Sequence, residues 1–364
     1  MLAATQDAPE AHLADSAADD RTAWLLERLA DAPDGAVVVV PRGVYRGPIR
    51  IVRPVHLRGE SGARLRGDGR THTVSVEAPD VTIEGFDVSG SGLDLSKDHA
   101  AIHVTGPRAT LVDNRIHESL HGVYVRQADG ARIEGNTIIG VETKMEAVDP
   151  FAAAGPSEGE LCEVTVNQNQ RGNGIHIWNS SHHVVARNTI RYTRDGVYFS
   201  FVDRTHVRDN VIEQVRYGLH YMYSDDNRFE GNTFRDNAAG AAIMSSKHIV
   251  LRRNAFLASR NHRAYGILLQ TVDDTTLEEN RIAGNTVGVF FESGHGNRLR
   301  NNVIANNHIG IHASDSSDGN TFAGNDFVDN LHTVETSGGN LTSVWAEDGR
   351  GNHWSGAVRL DMNR

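Results

Sequence analysis

Apolar and polar positions repeat along this chain at intervals of about 22 residues, from Asn114 to Gly310. An asparagine marks each repeat. An apolar residue lies three positions before it, another lies two positions after it, and a glycine often follows after eight positions. The marked asparagines include Asn188, Asn210, Asn232, Asn254, Asn280 and Asn302, and the glycines include Gly122, Gly196, Gly218, Gly240, Gly288 and Gly310. A fixed period of this length indicates a solenoid.

The residues within each repeat predict strands. Short runs rich in Val, Ile, Phe and Tyr are separated by Asn, Asp and Gly, and no run has the length and spacing of a helix of several turns. We therefore predict an all-β fold, a right-handed single-stranded parallel β-helix. We expect the asparagines, which tolerate left-handed backbone angles, to form a hydrogen-bonded ladder at one corner. The glycines are expected to occupy a second corner with positive φ.

The ends of the chain and two interruptions complete the predicted organisation. Thr22–Ala30 has the pattern of an amphipathic helix that would cap the first coil. Insertions around residues 141–170 and 259–263 break the period, and insertions in repeat proteins map to loops. The predicted segments are a disordered leader at 1–20, a parallel β-helix domain at 21–356 and a C-terminal tail at 357–364.

Composition narrows the function classes. The net charge of −11 argues against a nucleic-acid partner, whose backbone would be repelled. The single cysteine, Cys162, excludes an internal disulfide, and no apolar run reaches membrane-spanning length. Residues 1–20 show neither a basic start nor an apolar core, so they predict no signal peptide. One elongated, monomeric domain is the expected form.

An outward strip of unusual composition follows the corner glycines. Because strand side chains alternate, positions two and four after each glycine face outward if positions one and three face the core. The second positions carry His103, Tyr124, His176, Tyr198, His220, Ala242, Leu268, Phe290 and His312, and the fourth carry Arg126, Trp178, Ser200, Met222, Met244, Gln270 and Glu292. We call these residues the outward strip. Aromatic, imidazole and thioether side chains in place of solvated ones predict that something docks there.

Four residues of the strip are candidate metal ligands. His220 and Met222 share one strand and one face, Met244 lies one coil further on, and His176 lies two coils before His220. Thioether and imidazole donors without a neighbouring carboxylate suit Cu(I) better than Mg, Ca or Mn. Met and His on a strand more often line a packed or partner-contacting face than bind a metal, so that interpretation stands beside the metal site. His182, His183, His206 and His248 are predicted to be exposed turn or strand residues.

A carbohydrate-active enzyme is the alternative function. Asp273 and Asp274 precede His295 by about one coil, and carboxylates beside an imidazole can perform acid–base hydrolysis. The Asn-Thr-Asp and Arg-Ile-Lys companions of polygalacturonases are missing, as is an Asp-Pro-His-Asp motif of alginate epimerases. Aspartates of this kind also serve as turn residues. A purely structural β-helix remains the third interpretation.

Several segments resemble the NosD family, the β-helical proteins of nitrous oxide reductase maturation. They are RGNGIHIW from Arg171, RDGVY from Arg194, VRYGLHYMYSDDN from Val215, GAAIMS from Gly240, YGILL from Tyr265 and GRGNHWS from Gly349. The resemblance covers most of residues 36–356 and implies a non-enzymatic, periplasmic copper-handling protein. It implies as partners a membrane ABC transporter, a copper chaperone lipoprotein and the reductase. Family members usually continue beyond the last of these motifs, into a tail that is expected to reach the transporter.

Overall fold

The chain winds through three strands in each coil and so builds three parallel sheets. The computed structural model describes residues 20–141, 170–260, 264–314, 316–337 and 342–355. Almost all of the predicted leader and long insert, and the whole of the predicted tail, lie outside these residues. Within them the three sheets contain 12, 13 and 12 strands, and each strand pairs in parallel with its equivalent one coil away. The predicted parallel β-helix is confirmed.

The strands fall into three columns along the solenoid. The first sheet contains Ala36–Val40, Val55–Gly59, Thr82–Glu84, Thr110–Val112, Arg132–Glu134, Val184–Ala186, His206–Arg208, Arg228–Glu230, Val250–Arg252, Thr276–Glu278, Arg298–Arg300 and Thr321–Ala323. The second contains Gly43–Arg46, Ala63–Arg66, Asp87–Ser89, Arg115–His117, Thr137–Ile139, Thr189–Arg191, Val211–Glu213, Thr233–Arg235, Ala255–Leu257, Arg281–Ala283, Val303–Ala305, Asp326–Val328 and His353–Trp354. The third contains Ile49–Ile51, Val74–Val76, Ala100–Val104, His121–Arg126, Ile175–Ser181, Asp195–Asp203, Tyr217–Met222, Ala239–Lys247, Tyr265–Asp273, Val287–Glu292, Ile309–Ser314 and His332–Ser337.

The core is a continuous column of apolar side chains inside the three sheets. Val207 and Ile212, which flank Asn210 in the sequence pattern, are 1% and 0% exposed. Val197 and Phe199, at the first and third positions after Gly196, are both 0% exposed. The inward half of the predicted alternation is therefore confirmed, and it fixes the opposite face of the third sheet as the outer one.

The predicted asparagine ladder runs along the corner between the first and second sheets. In each rung the side-chain oxygen of one asparagine accepts both the backbone N–H and the side-chain N–H of the asparagine one coil before. From Asn188 to Asn210 both distances are 2.9 Å. The left-handed residue is not the asparagine itself. It is the residue before it, for example Arg187 with φ 55° and Asp209 with φ 57°.

The corner glycines are needed for a different reason from the predicted one. None of these glycines, from Gly122 to Gly310, has a φ in the left-handed region. A Cβ added at Gly196 would instead lie 2.3 Å from Cγ2 of Ile212 and 2.6 Å from the carbonyl oxygen of Gly218. The prediction of positive φ was wrong, because close approach of successive coils, not backbone handedness, excludes a side chain there.

Both ends of the described solenoid are closed by large side chains. Helix Thr22–Asp31 buries Leu25 completely in the first coil, which confirms the predicted capping helix. At the other end, Trp345 stacks on Phe322 with ring centroids 4.3 Å apart, and Trp354 stacks on Phe327 at 4.5 Å. These aromatic pairs cover core that the last coil would otherwise expose. No helix in the described ranges has the length and apolarity to span a membrane.

Candidate metal site on the third sheet

The third sheet places the two candidate thioethers side by side. Met222 is paired in register with Met244 on the next coil, and His220 is paired with Ala242. Strands in a sheet lie about 4.8 Å apart, and residues i and i+2 on one strand lie about 7 Å apart on the same face. Both methionines and His220 are partly exposed. The fold thus gathers these three side chains on the outer face.

His176 is separated from this group. It pairs in register with Tyr198, which in turn pairs with His220. The ring of Tyr198 lies between the two imidazoles, with centroid distances of 4.5 Å to His176 and 4.9 Å to His220. Burial lowers the pKa of His176 to about 3, and the nearby imidazole of His121 contributes to this in second place. His176 is therefore neutral at pH 7 but belongs to a neighbouring aromatic column.

The outward strip is more covered than the alternation predicts. Tyr124, Ala242 and Ser200 face outward in register but are only 6%, 2% and 6% exposed. Ring contacts between successive coils explain much of this, since His103, Tyr124, His176, Tyr198 and His220 form a contiguous column. The strip is a packed aromatic surface with the thioethers at its edge.

A buried carboxylate lies beside His220, contrary to the prediction that none is near. Asp195 is 1% exposed and begins the preceding strand of the third sheet. It accepts hydrogen bonds from Nε and Nη2 of Arg216 at 2.8 and 2.7 Å, and one from Nδ1 of His220 at 2.8 Å. Burial alone would raise the pKa of Asp195, but the bonds from His220 and Arg216 outweigh it and the pKa is lowered. Asp195 is ionised at neutral pH.

Hydrogen-bond partners separate the histidines into two kinds. A backbone N–H can only donate, so Nδ1 of His72, His121 and His183 must accept the bonds from Ala100, Asn173 and Ala131. Their lone pairs are occupied, and their proton is on Nε2. His183, predicted to be exposed, is 1% exposed because it takes this structural role. An ionised carboxylate only accepts, so Nδ1 of His220 donates and the neutral ring has its lone pair on Nε2.

Tyr198 contacts the candidate site directly. Its hydroxyl lies 3.8 Å from Sδ of Met222. Burial raises the pKa of Tyr198, so the phenol keeps its proton at neutral pH. The thioether is a weak acceptor of this O–H, and the bond orients the sulfur without competing for a metal as a phenolate would.

The donor chemistry fits Cu(I). Two thioethers on adjacent coils and one imidazole form a soft donor set, which suits Cu(I) better than it suits hard cations. Among the described residues, His, Cys, Asp and Glu side chains form no group of three or more that could hold a metal. Met222, Met244 and His220 are the soft donors that the register brings together on this face.

Two exposed aromatic side chains next to the methionines were missed by the sequence analysis. Phe201 and Tyr223 are each 53% exposed and stack at 5.3 Å with an interplanar angle of 14°. Each follows the fourth position after a corner glycine, directly after Ser200 and Met222. Both residues have a positive φ, 57° at Phe201 and 51° at Tyr223. The sequence did contain a signal for this pair, namely an aromatic residue at the fifth position after the glycine in two successive coils.

The alternative catalytic residues serve as turn residues. Oδ1 of Asp273 accepts the backbone N–H of His295 at 2.9 Å, as Asp203 does for Asp225 at an equivalent turn. Asp274 faces His248, with 4.0 Å between Oδ2 and Nε2. The two carboxylates thus have local structural partners, and these contacts do not favour the hydrolase interpretation.

The fold and this face define a parallel β-helix protein with a soft-donor surface. The family described as "Periplasmic copper-binding protein (NosD)" matches residues 159–358. A "Probable ABC transporter binding protein NosD" from Stutzerimonas stutzeri is 32% identical over 89% of this chain and 72% of that protein. Its Pseudomonas aeruginosa counterpart is 31% identical over 88% of this chain and 73% of that protein. The chain belongs to the NosD family, which confirms the resemblance found in the sequence.

Solved structures share the fold at low sequence identity. The catalytic unit of a GH87 α-1,3-glucanase from Streptomyces thermodiastaticus superposes with a TM-score of 0.60. The match covers 92% of this chain and 66% of the glucanase chain, at 16% identity. Identity at this level supports the β-helical architecture alone, because unrelated activities use the same fold.

Proposed function

We propose that this chain binds Cu(I) at Met222, Met244 and His220 and presents it to partner proteins during maturation of nitrous oxide reductase. The register of the two methionines beside a histidine with a free Nε2 is the observation that carries the proposal. The description of the family as periplasmic and copper-binding supports both the metal and the compartment. The protein acts as a carrier or scaffold and not as an enzyme.

His176 has a supporting role in this proposal. Its neutral imidazole is one Tyr198 ring away from His220, so it lies outside the reach of the same ion. We propose His176 instead as a ligand of a second, neighbouring copper position. The primary site therefore has three ligands from this chain and an open position for a partner's ligand.

The partner docks beside the methionines. Phe201 and Tyr223 form an exposed aromatic pair, and exposed aromatic side chains dominate many protein interfaces. Copper exchange requires the donor and acceptor ligands to approach directly, and Tyr223 follows Met222 in the chain. We assign this pair to contact with a copper chaperone lipoprotein. The name of these relatives, ABC transporter binding protein, supports a separate association with a membrane ABC transporter.

Cu(I) titration tests the metal site. Competition against a chromophoric Cu(I) chelator, without oxygen and in a Cys162→Ser background, measures affinity without a competing thiol. Met222→Leu/Met244→Leu preserves volume and removes both sulfurs, so we expect affinity to fall by about tenfold or more, or about 1.4 kcal/mol. His220→Ala is expected to act in the same direction.

His312→Ala is the matched control. His312 lies in the same register column, four coils beyond His220, and its Nε2 bonds Ser337 at 2.7 Å. We expect wild-type affinity for this variant. Equal Cu(I) affinity for wild type, the methionine double variant and His220→Ala would refute a copper site on this face.

A further inference from the structure

The carboxylate of Asp195 has a role that its ion pair with Arg216 does not explain. Arg216 alone satisfies both carboxylate oxygens in a bidentate pair, with bonds of 2.8 and 2.7 Å. The third bond, from Nδ1 of His220 to Oδ2, is additional. A carboxylate placed only for stability would not need the imidazole as a third donor. The arrangement therefore concerns the histidine.

The third bond controls which nitrogen of His220 can bind a metal. A neutral imidazole has one proton, and the carboxylate holds it on Nδ1, which leaves the lone pair on Nε2. Metal-binding histidines commonly donate their other N–H to a carboxylate, which fixes both the tautomer and the ring orientation. The opposite arrangement occurs at His121 and His183, whose Nδ1 atoms accept backbone N–H groups.

Arg216 keeps the carboxylate charged and in place. The Asp195 side chain is 2% exposed, and a buried carboxylate without a partner would favour its neutral form. The guanidinium stacks on the ring of Tyr217 at 4.5 Å, and Tyr217 also contacts His220 at 5.1 Å. Arg216, Tyr217 and Asp195 thus surround the imidazole from two adjacent coils. Each member of the cluster contacts at least one other member, so the imidazole is held from both coils.

We propose that Asp195 and Arg216 are positioning residues that hold His220 in the Nδ1–H tautomer and so present Nε2 to Cu(I). The part of this inference that concerns Cu(I) rests on the proposed function. The part that concerns the tautomer applies to the metal-free protein and can be tested separately. Replacing both charges together avoids leaving either one buried and unpaired.

The test variant is Asp195→Leu/Arg216→Met, compared with wild type in two measurements. Two-bond ¹H–¹⁵N spectra of ¹⁵N-histidine-labelled, metal-free protein at pH 8 report the tautomer. We expect Nδ1–H for His220 in wild type and loss of that preference in the variant. Cu(I) affinity should fall about 10–100-fold, the usual effect of removing the carboxylate partner of a metal ligand.

Two internal controls separate positioning from structural damage. His183 should remain Nε2–H in the same spectra, because its bond to Ala131 lies on another face. In a His220→Ala background, the Asp195→Leu/Arg216→Met change should no longer alter Cu(I) affinity. A general loss of structure would instead change both readouts.

The outcomes distinguish the two proposals. An Nε2–H tautomer for His220 in wild type overturns the positioning role even if the double variant fails to fold. Wild-type Cu(I) affinity in a folded double variant also overturns it. Failure of wild type to bind Cu(I), with the expected Nδ1–H tautomer present, refutes the proposed function and leaves the positioning role supported.

Discussion

Removal of one asparagine from the ladder is expected to destabilise the whole solenoid. Asn210 is 0% exposed. Its oxygen accepts the backbone N–H of Asn188 at 2.9 Å, and its Nδ2 donates to the carbonyl of Val185 at 2.9 Å. Asn210→Ala deletes the acceptor of the first bond and the donor of the second.

The magnitude follows from these two groups. A buried polar group that loses its partner costs about 1–3 kcal/mol, so the two together cost roughly 2–6 kcal/mol. Whole domains are typically stable by about 5–15 kcal/mol. The substitution therefore removes a large fraction of the stability through atoms that touch no candidate ligand.

Equilibrium denaturation in urea measures the loss. The transition midpoint should fall while its slope stays constant, since the surface exposed on unfolding is unchanged. Asn352→Ala is the matched control, because Asn352 accepts the same pair of bonds from Asn325 but is partly exposed at the last rung. We expect a smaller loss there. A loss below about 1 kcal/mol for Asn210→Ala, or equal losses for both variants, would refute the argument.

Two further predictions concern acid stability and docking. Burial lowers the pKa of His183 to about 4 in the folded protein, whereas the residue in the unfolded chain protonates near pH 6.5. The contribution of His183 to the free energy of unfolding is therefore fully present above pH 6.5 and is lost as the pH falls toward 4. His183→Asn keeps an acceptor for the N–H of Ala131 but cannot be protonated. In thermal melts at pH 5, this variant should lose about 2 kcal/mol less stability than wild type does, relative to neutral pH. An unchanged pH profile would contradict this expectation. Phe201→Ser/Tyr223→Ser should weaken chaperone docking by about 2 kcal/mol without changing Cu(I) affinity. Leu331→Ser is the control, because Leu331 is 68% exposed and lies away from the aromatic pair. Equal rates of copper transfer for wild type and both variants would exclude this docking site.

The repeat pattern predicts most of the fold because a solenoid's contacts are local between coils. Once the period is known, the residues equivalent to Val207, Asn210 and Ile212 can be identified in every coil. The core and the ladder follow from these equivalences. The reason for the corner glycines did not follow. Positive φ and close approach both select glycine, and the sequence cannot distinguish them. Coordinates at Gly196 are needed to show that the carbonyl of the next coil excludes a side chain.

The candidate site was predicted in part. The alternation of strand residues identified Met222, Met244 and His220 as neighbours on one face, because that depends only on register. Asp195 escaped notice because it contacts His220 diagonally across coils, and an aspartate before a glycine is also typical of a turn. The occupied lone pairs of His121 and His183 were likewise invisible, since their partners are backbone N–H groups.

Asn136 and Asn188 make the same rung as any other pair, although 52 residues separate them in the chain. Nδ2 of Asn136 donates to Oδ1 of Asn188 at 3.0 Å, the same distance as between Asn114 and Asn136, which are 22 residues apart. The stacking geometry at this point therefore does not depend on how many residues separate the two asparagines in the chain. The segment between these two asparagines is therefore a site at which a sequence of different length or purpose can be exchanged. The spacing of the thioethers would stay the same.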